Sequence, residues 1–351
     1  MEQRALLDDG LGNINFNGAE FNIVFEKQEI ADSFVSEEST GDTLNDAVYN
    51  RMIEIEERFN VTIKTTATNI ESTQHTRQLA TLLFAGDDTY DLYQMHSMEG
   101  PNIALQNGLY NLYDLDQIDF SQPWWLDFMI DEQTFMNQLY CFNSPIEPNV
   151  ISGGVVLYFN RDLIEDRKLN DPYELVKSGT WTMDKLYSMV KDAYSDLNNN
   201  DSVDENDFFG YAGYIGETFY TPVSAGLDIL TKTRDDLELT VNSEKTLSYI
   251  EKWYRLYSSN TSLIQSGWST AEQETLFKDS RTLFVSRSVS SASNVYRDSE
   301  INFGIVPMPK LDETQGNYYT MGGRTQYGYS GYRKRPGYEC HHSRSNDLRR
   351  L

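Results

Sequence analysis

Apolar and polar positions along the chain fall into a readable series of elements. Phe21-Asn-Ile-Val-Phe25 is a short aromatic and β-branched run and predicts a strand. Residues 26–42 are polar and predict a loop. From 43 to 59, Leu44, Val48, Met52, Ile55 and Phe59 recur at spacings of four, four, three and four, which makes one helical stripe. Val61-Thr-Ile-Lys-Thr65 predicts a second strand. Residues 73–85, with Leu79, Leu82 and Leu83, predict a second amphipathic helix, and Tyr90-Asp-Leu-Tyr-Gln-Met95 a third strand. This β-α-β-α-β order implies an α/β sheet with right-handed crossovers. Sites in such sheets lie at the carboxyl ends of the strands, here near Lys27–Glu29, Thr65–Ala67 and Gln94–Ser97.

Further on, Pro123-Trp124-Trp125 is a Trp-rich turn, and Leu139-Tyr-Cys-Phe142 an extended segment leaving the first lobe. Val155-Val-Leu-Tyr-Phe159 predicts a strand, followed by a helix over Arg161–Arg167. Gly179-Thr-Trp-Thr182 caps a helix from Met183 to about Ser195. Helices are expected over 243–258 and 270–279, and strands at Thr282–Val285 and Asn302–Val306. No internal repeat or low-complexity linker interrupts the series, so two α/β lobes sharing the chain through short crossings are expected.

A length of 351 residues suits two such lobes better than one core. The net charge of −25 makes nucleic acid and anionic membranes poor partners. Hydrophobic residues at 39% and aromatics at 13% are too many large side chains for a disordered chain. No run of about 18 apolar residues is present to span a membrane. Two cysteines, Cys141 and Cys340, offer no disulfide framework or metal pair, and four histidines (His75, His96, His341, His342) make a His-rich metal site improbable.

Both ends read as irregular. Residues 1–19 form an acidic leader without a basic-then-apolar signal segment, which is expected if the true start lies upstream. Residues 328–351 carry a net charge of +4 against −29 for the rest, and show no helix or strand period. A basic tail for an acidic partner is one reading. The expected one is a frameshift: codons allowed for Gln326 onward, read one base later, can spell NMAIPVTAKDPDMNVIILEAMTYE, an apolar run, a turn and a helix-like run.

The sharpest local motif is Asp196-Leu-Asn-Asn-Asn-Asp-Ser-Val-Asp-Glu-Asn-Asp207. Oxygen-bearing side chains at Asp196, Asn198, Asn200, Asp204 and Asp207, with the Ser202 carbonyl, take the positions of a calcium loop. Asp201 stands where glycine is usual, and Asp207 where a bidentate Glu is usual. Ca2+ is therefore a possible structural clip, and an acidic turn that binds nothing is the rival. Trp124, Trp125, Trp181, Trp253 and Trp268 are a second signal, because aromatic faces stack on sugar rings while carboxylates and amides take the hydroxyls. Core packing is the better account of Trp181 and Trp253, and it explains the adjacent Trp124 and Trp125 equally well. No HExxH, GxSxG, P-loop or GxGxxG motif is present, and His96 just past a strand end suits a cleft wall or the surface better than a base.

Several stretches together resemble the family 1 extracellular solute-binding proteins of bacterial ABC importers, the group that includes maltose-binding protein. They are Tyr90–Met95, Gly153-Gly-Val-Val-Leu-Tyr-Phe-Asn-Arg-Asp-Leu163, Gly179-Thr-Trp-Thr-Met-Asp-Lys-Leu186 and the Asp196–Asp207 loop ending in Phe209-Gly-Tyr211. Leu276-Phe-Lys-Asp-Ser-Arg-Thr-Leu-Phe284, Asn302-Phe-Gly-Ile-Val-Pro-Met-Pro-Lys310 and Tyr318-Tyr-Thr-Met-Gly-Gly323 complete the set. Order and spacing match from about 20 to 323, and the shifted-frame string looks like the family's next segment.

The resemblance implies an α/β, two-lobed periplasmic-binding-protein-like fold of type II, with a hinge and a ligand held in the interlobe cleft. Lobe one would run over 20–140, lobe two over 141–317, and the hinge return over 318–327, with an aberrant tail at 328–351. It implies a non-enzymatic monomer that binds a sugar or oligosaccharide and delivers it to ABC permease subunits, as an extracellular lipoprotein. Expected ligand contacts are Glu29, Tyr93, Gln94 and His96 at strand ends; Trp124 and Trp125; Tyr158 in the strand preceding Asn160; Phe219 and Tyr220 as lobe-two walls; Arg287 with Ser288; and Gly322 with Gly323 at the hinge return. A secreted glycoside hydrolase and a binder of another solute, such as a peptide or polyamine, are the alternatives.

Overall fold

The computed structural model describes residues 8–143, 146, 149–232, 236–267, 269–322 and 325–331. The chain divides into two compact units, Met1–Pro148 with Arg324–Leu351, and Asn149–Gly323.

The first unit opens with β1 (Ala19–Phe25), α1 (Gln28–Phe34), α2 (Thr43–Phe59), β2 (Val61–Ala67), α3 (Ser72–Phe84) and β3 (Leu92–His96). In α2 the expected stripe turns Val48, Met52 and Phe59 inward, and Leu44 in its first turn stays exposed. Asp42 caps its start by accepting from the Leu44 and Asn45 amides, and Asn60 ends it in the left-handed conformation that Asn tolerates. The loop expected over 26–42 contains α1. Its only apolar positions, Ile30, Ala31 and Phe34, share one face, and packing of Phe34 against Phe25 at 5.5 Å holds a helix too short to show a period.

β1 lies between β2 and β3 and runs parallel to both. A returning strand, Thr325–Tyr329, pairs antiparallel with β3, with Thr325 opposite His96 and Tyr329 opposite Leu92. Alternation along β1 sends Ile23 and Phe25 into one core, with Leu112, Leu139, Phe142 and Tyr327, and Val24 into another, with Leu79, Leu83, Tyr93, Met95 and Ile103. Gly328 lets the returning strand lie close, because a Cβ there would stand 2.8 Å from the Met95 methyl.

Three boundaries differ from expectation. Leu139–Phe142 does not leave the first unit: the Leu139 carbonyl accepts from the Leu112 amide, and Phe142 pairs with Tyr327. Tyr318 and Thr320 belong to the second unit, where their hydroxyls donate to the carbonyls of Val176 and Val155. Residues 328–331, assigned to an aberrant tail, take part in the first sheet, with Ser330 bridged to Leu109. The remainder of that tail lies outside the described residues.

The second unit has a five-stranded sheet built from β4 (Val155–Asn160), β5 (Phe209–Tyr214), β6 (Ser262–Gln265), β7 (Thr282–Ser288) and β8 (Phe303–Pro307). The order is β8-β4-β7-β5-β6, with β5 parallel to β6 and β7, and with β4 antiparallel to β7 and β8. Its helices include α4 (Arg161–Asp166), α5 (Met183–Val190), α6 (Glu217–Ser224), α7 (Glu244–Tyr257) and α8 (Ala271–Lys278). One core centres on Trp181, Leu186, Tyr211, Leu283 and Phe284, and another on Tyr158, Phe209, Phe277, Val285 and Tyr296. Thr182 caps α5, as its position predicts, but the helix stops at Val190 rather than Ser195. Beyond it Ser195 and Phe208 exchange main-chain hydrogen bonds of 3.1 and 3.0 Å, which close the loop between them and take those groups out of the helix.

Candidate functional site

In the first unit, polar side chains gather where the parallel strands end. Glu26, the residue after β1, is nearly buried, and its amide donates to Gln94 Oε1 at 2.8 Å. Its carboxylate accepts from the Ser72 hydroxyl at 2.5 Å, on the first turn of α3. His75 lies one turn further along and is buried. Its Nε2 stands 3.0 Å from the Gln94 carbonyl and its Nδ1 2.7 Å from the Thr68 hydroxyl. A carbonyl can only accept, so Nε2 carries the hydrogen and Nδ1 accepts from Thr68. Burial holds His75 below the ordinary histidine pKa, against the Gln94 carbonyl and the Glu26 charge that favour its protonation. Gln94 is wholly buried and bridges β3 to the end of β1, and its Nε2 has no hydrogen-bond partner among the described residues.

The expected first-unit contacts separate on this frame. His96 is half-buried at the end of β3, with its Nδ1 accepting from the Met98 amide at 3.2 Å. Glu29 is exposed on the first turn of α1. Tyr93 is core: it has no exposed surface and meets the Tyr90 ring edge-on at 6.0 Å. β3 is covered on both faces, so its position near a strand end does not bring its side chain out. Trp125 packs on Phe120 and Phe142 at 5.0 and 5.9 Å, as part of the first unit's core, and Trp124 is half-buried beside it in sequence.

In the second unit, Tyr158 is likewise core rather than an open ligand contact. Its hydroxyl lies 2.9 and 3.0 Å from the carbonyls of Ser288 and Val289, and its ring packs on Tyr296 at 5.1 Å. Tyr220 is buried, with its hydroxyl 3.3 Å from Ser286 Oγ, whereas its neighbour Phe219 is 54% exposed. Arg287 at the end of β7 is buried. It pairs with Glu274 on α8 and donates to the Thr270 carbonyl at 2.8 Å, while its Nε has no partner among the described residues. Gly322 is half-buried outside any regular element, and Gly323 and Trp268 lie outside the described residues.

Two groups at this edge escaped the sequence reading. Gln273, one turn before the core residues Leu276 and Phe277, is wholly buried with both amide atoms unpartnered among the described residues. Glu217 opens α6 and is wholly buried; its carboxylate accepts from the hydroxyls of Tyr211 at 2.7 Å, Tyr257 and Ser286. Burial pushes Glu217 up to about 7, against the three hydroxyls that favour its charge. These donors come from three distant elements, so no local motif announces them.

The Asp196–Asp207 loop is ordered by its own polar groups. Asp196 accepts from the amides of Asn199 and Asp201 at 2.6 and 3.0 Å, in the manner of a first loop ligand, and both residues take left-handed backbone angles. Asp207 is buried and bonded to the Tyr194 hydroxyl and to the Leu197 and Asp204 amides. The Asn198 and Asn200 side-chain amides point their nitrogens at Asp204, and Ser202 offers its carbonyl at 3.4 Å to Tyr194. The residue types fit a cation. No group of three acidic, His or Cys side chains placed to hold a metal occurs among the described residues.

A separate hollow of 440 Å³ lies along the free edge of β2, lined by Tyr49, Met52, Glu56, Ile63, Lys64 and Thr65 among others, and none of the expected ligand residues reaches it. No helix of the described residues is long and apolar enough to cross a membrane.

No protein-family profile matches the chain, and no curated protein sequence does. Solved structures do. An ABC substrate-binding protein from Listeria monocytogenes, in complex with cycloalternan, is 16% identical over 89% of this chain and 71% of its own, with a TM-score of 0.55. A maltose/maltodextrin-binding domain from Bdellovibrio bacteriovorus, bound to maltotriose, is 14% identical over 90% of this chain and 72% of its own, with a TM-score of 0.57. A Mycobacterium tuberculosis protein in complex with glycerophosphocholine is 14% identical over 81% of this chain and 66% of its own, with a TM-score of 0.53. The chain therefore has the α/β fold of the two-lobed substrate-binding proteins that serve ABC transporters.

Proposed function

We propose that this chain is the solute-binding component of an ABC importer, taking up a sugar or oligosaccharide and passing it to permease subunits without chemical turnover. The observation that carries the reading is the polar set at the carboxyl ends of β1 and β3. Glu26, His75 and Gln94 are locked together there, an amide donor of Gln94 is left over, and His96 stands half-open beside them. Ligand sites of open α/β sheets form at that edge, and hydroxyl-rich ligands call for amide and carboxylate partners. The fold supports it through neighbours solved with cycloalternan and maltotriose. In this reading the protein works outside the membrane as a lipid-anchored monomer.

A rival reading, a non-sugar solute, is favoured by the neighbour solved with glycerophosphocholine, because fold alone does not choose a ligand. Calorimetric titration with maltotriose, cycloalternan, spermidine and glycerophosphocholine separates the two. Saturable heat with an oligosaccharide and unchanged sugar on chromatography is expected. Binding of spermidine or glycerophosphocholine alone would replace the sugar assignment, and cleavage of the oligosaccharide would make the protein a hydrolase.

The calcium assignment is part of the same proposal. A cation would turn the Asn198 and Asn200 amides over and draw on Asp196, Asp204, Asp207 and the Ser202 carbonyl, as a clip within the second unit.

A further inference from the structure

We propose that Glu217 is a protonation switch of the second unit: carrying its proton it clamps the start of α6 to β5, β7 and α7, and losing it loosens that clamp. The inference stands whatever the ligand is.

The geometry sets neutral acid against carboxylate. Glu217 has no exposed surface, and every side chain bonded to it is a hydroxyl: Tyr211 from β5, Tyr257 from α7 and Ser286 from β7. The two phenols share Oε2, and Ser286 meets Oε1. That division suits a carboxylic acid, with Oε2 as the carbonyl that accepts twice. Ser286 donates to Oε1 when Glu217 is charged; with the proton on Oε1 that bond turns round, Oε1 donates to Ser286 Oγ, and the Ser286 hydrogen passes to the Tyr220 hydroxyl at 3.3 Å. The chain of bonds thus runs from α7 and β5 through Glu217 to β7 and back to α6.

No cation answers the charge when the proton leaves. The titratable groups facing Glu217 are Tyr211 from β5, Tyr220 from its own helix, and Tyr249 and Tyr257 from α7. Arg287, next to Ser286, lies on the opposite face of β7 and is spent on Glu274 and Thr270. A carboxylate here is held only by the dipoles of three hydroxyls and the Tyr214 backbone amide, and it raises the cost of ionising the Tyr211 and Tyr257 phenols. Relief comes by admitting water, which separates α6 from the sheet. Gly213 belongs to the same design, since a Cβ there would stand 2.8 Å from the Glu217 carboxyl.

Infrared spectroscopy of the full chain and of Glu217→Gln tests this. The wild type should show a protonated-carboxyl band at pH 6 that disappears with a midpoint near pH 7, and Glu217→Gln should lack it. Trp253 lies 4.9 Å from the Tyr257 ring and 6.2 Å from Tyr211, so its fluorescence should shift with the same midpoint, and Glu217→Gln or Trp253→Phe should abolish the shift. Tyr257→Phe removes a donor to the charged form and should move the midpoint to higher pH; it serves even if Glu217→Gln does not fold. A carboxyl group already ionised at pH 5, or a Tyr257→Phe midpoint that is unchanged or lower, overturns the proposal.

Discussion

Phe142 and Tyr327 exchange both of their main-chain hydrogen bonds, at 3.0 and 2.8 Å, and their rings lie 5.8 Å apart. One residue stands at the end of the first unit's long segment and the other on the strand that returns to it. The pairing makes two distant stretches of chain into one sheet edge and one core. The cost of closing so long a loop is met only once both partners are in place.

Tyr327→Ala should therefore unfold the first unit more easily. The side chain is buried among Phe25, Phe34 and Phe142, and its truncation is expected to cost about 3–5 kcal/mol. Urea unfolding followed by Trp fluorescence checks it. The transition of the second unit should not move, and a first-unit transition within about 1 kcal/mol of wild type would mean that the returning strand contributes little.

Glu274→Ala should destabilise the second unit by roughly 3 kcal/mol, since it leaves the buried Arg287 guanidinium without its carboxylate. Adding Arg287→Met should recover much of the loss. A double variant as unstable as the sum of the single ones would show that the ion pair is not the source.

pH should move the two units in opposite directions. His75 has a folded pKa below its unfolded 6.5, so its neutral form is the stable one. Its contribution is present above pH 6.5 and is lost as pH falls below it. Glu217 has a folded pKa raised from 4.5 to about 7, so the folded state holds the proton more tightly and stability declines as pH rises through that window. At about 1.4 kcal/mol per unit the decline is about 3 kcal/mol and is complete above pH 7. Chemical denaturation from pH 4.5 to 8.5, with Glu217→Gln and His75→Gln as controls, reads both slopes.

Calcium should raise the melting temperature of the second unit and leave the first unchanged. At a hundredfold excess over its dissociation constant the gain is about 2.7 kcal/mol, and Asp196→Ala should remove it. Scanning calorimetry with calcium and with chelator is the measurement. Equal melting in both, for the wild type, would reduce the loop to an acidic turn.

His96→Ala should weaken oligosaccharide binding about tenfold without a change in melting temperature, the loss of one hydrogen bond of about 1.4 kcal/mol. Calorimetric titration with maltotriose tests it, and unchanged affinity would remove His96 from the ligand set.

Local order was written in local pattern. The stripe of α2, the caps Asp42 and Thr182, and the strands β1 to β4 are each settled within a few residues by periodicity and capping chemistry, and they were legible. So was the succession of strands and helices that the resemblance turned into a two-lobed α/β fold. α1 was not, because seven polar-rich residues become a helix only against Phe25. Nor was the returning strand, whose period depends on β3 as its partner.

The candidate site divides in the same way. Spacing alone brought His96 and Gln94 to a strand end, and the twelve-residue loop to its positions. Whether a residue near that end faces out was decided by what covers it: Tyr93 and Tyr158 went into the core because their strands are packed on both faces. The hydroxyls around Glu217 come from β5, β7 and α7, and burial there is a property of the packed unit that no stretch of sequence carries. Most elements and their order follow from interactions that span a turn or a strand, and so can be read along the chain. Which polar groups lose their water is settled by the packed units, because that depends on side chains brought together from distant positions.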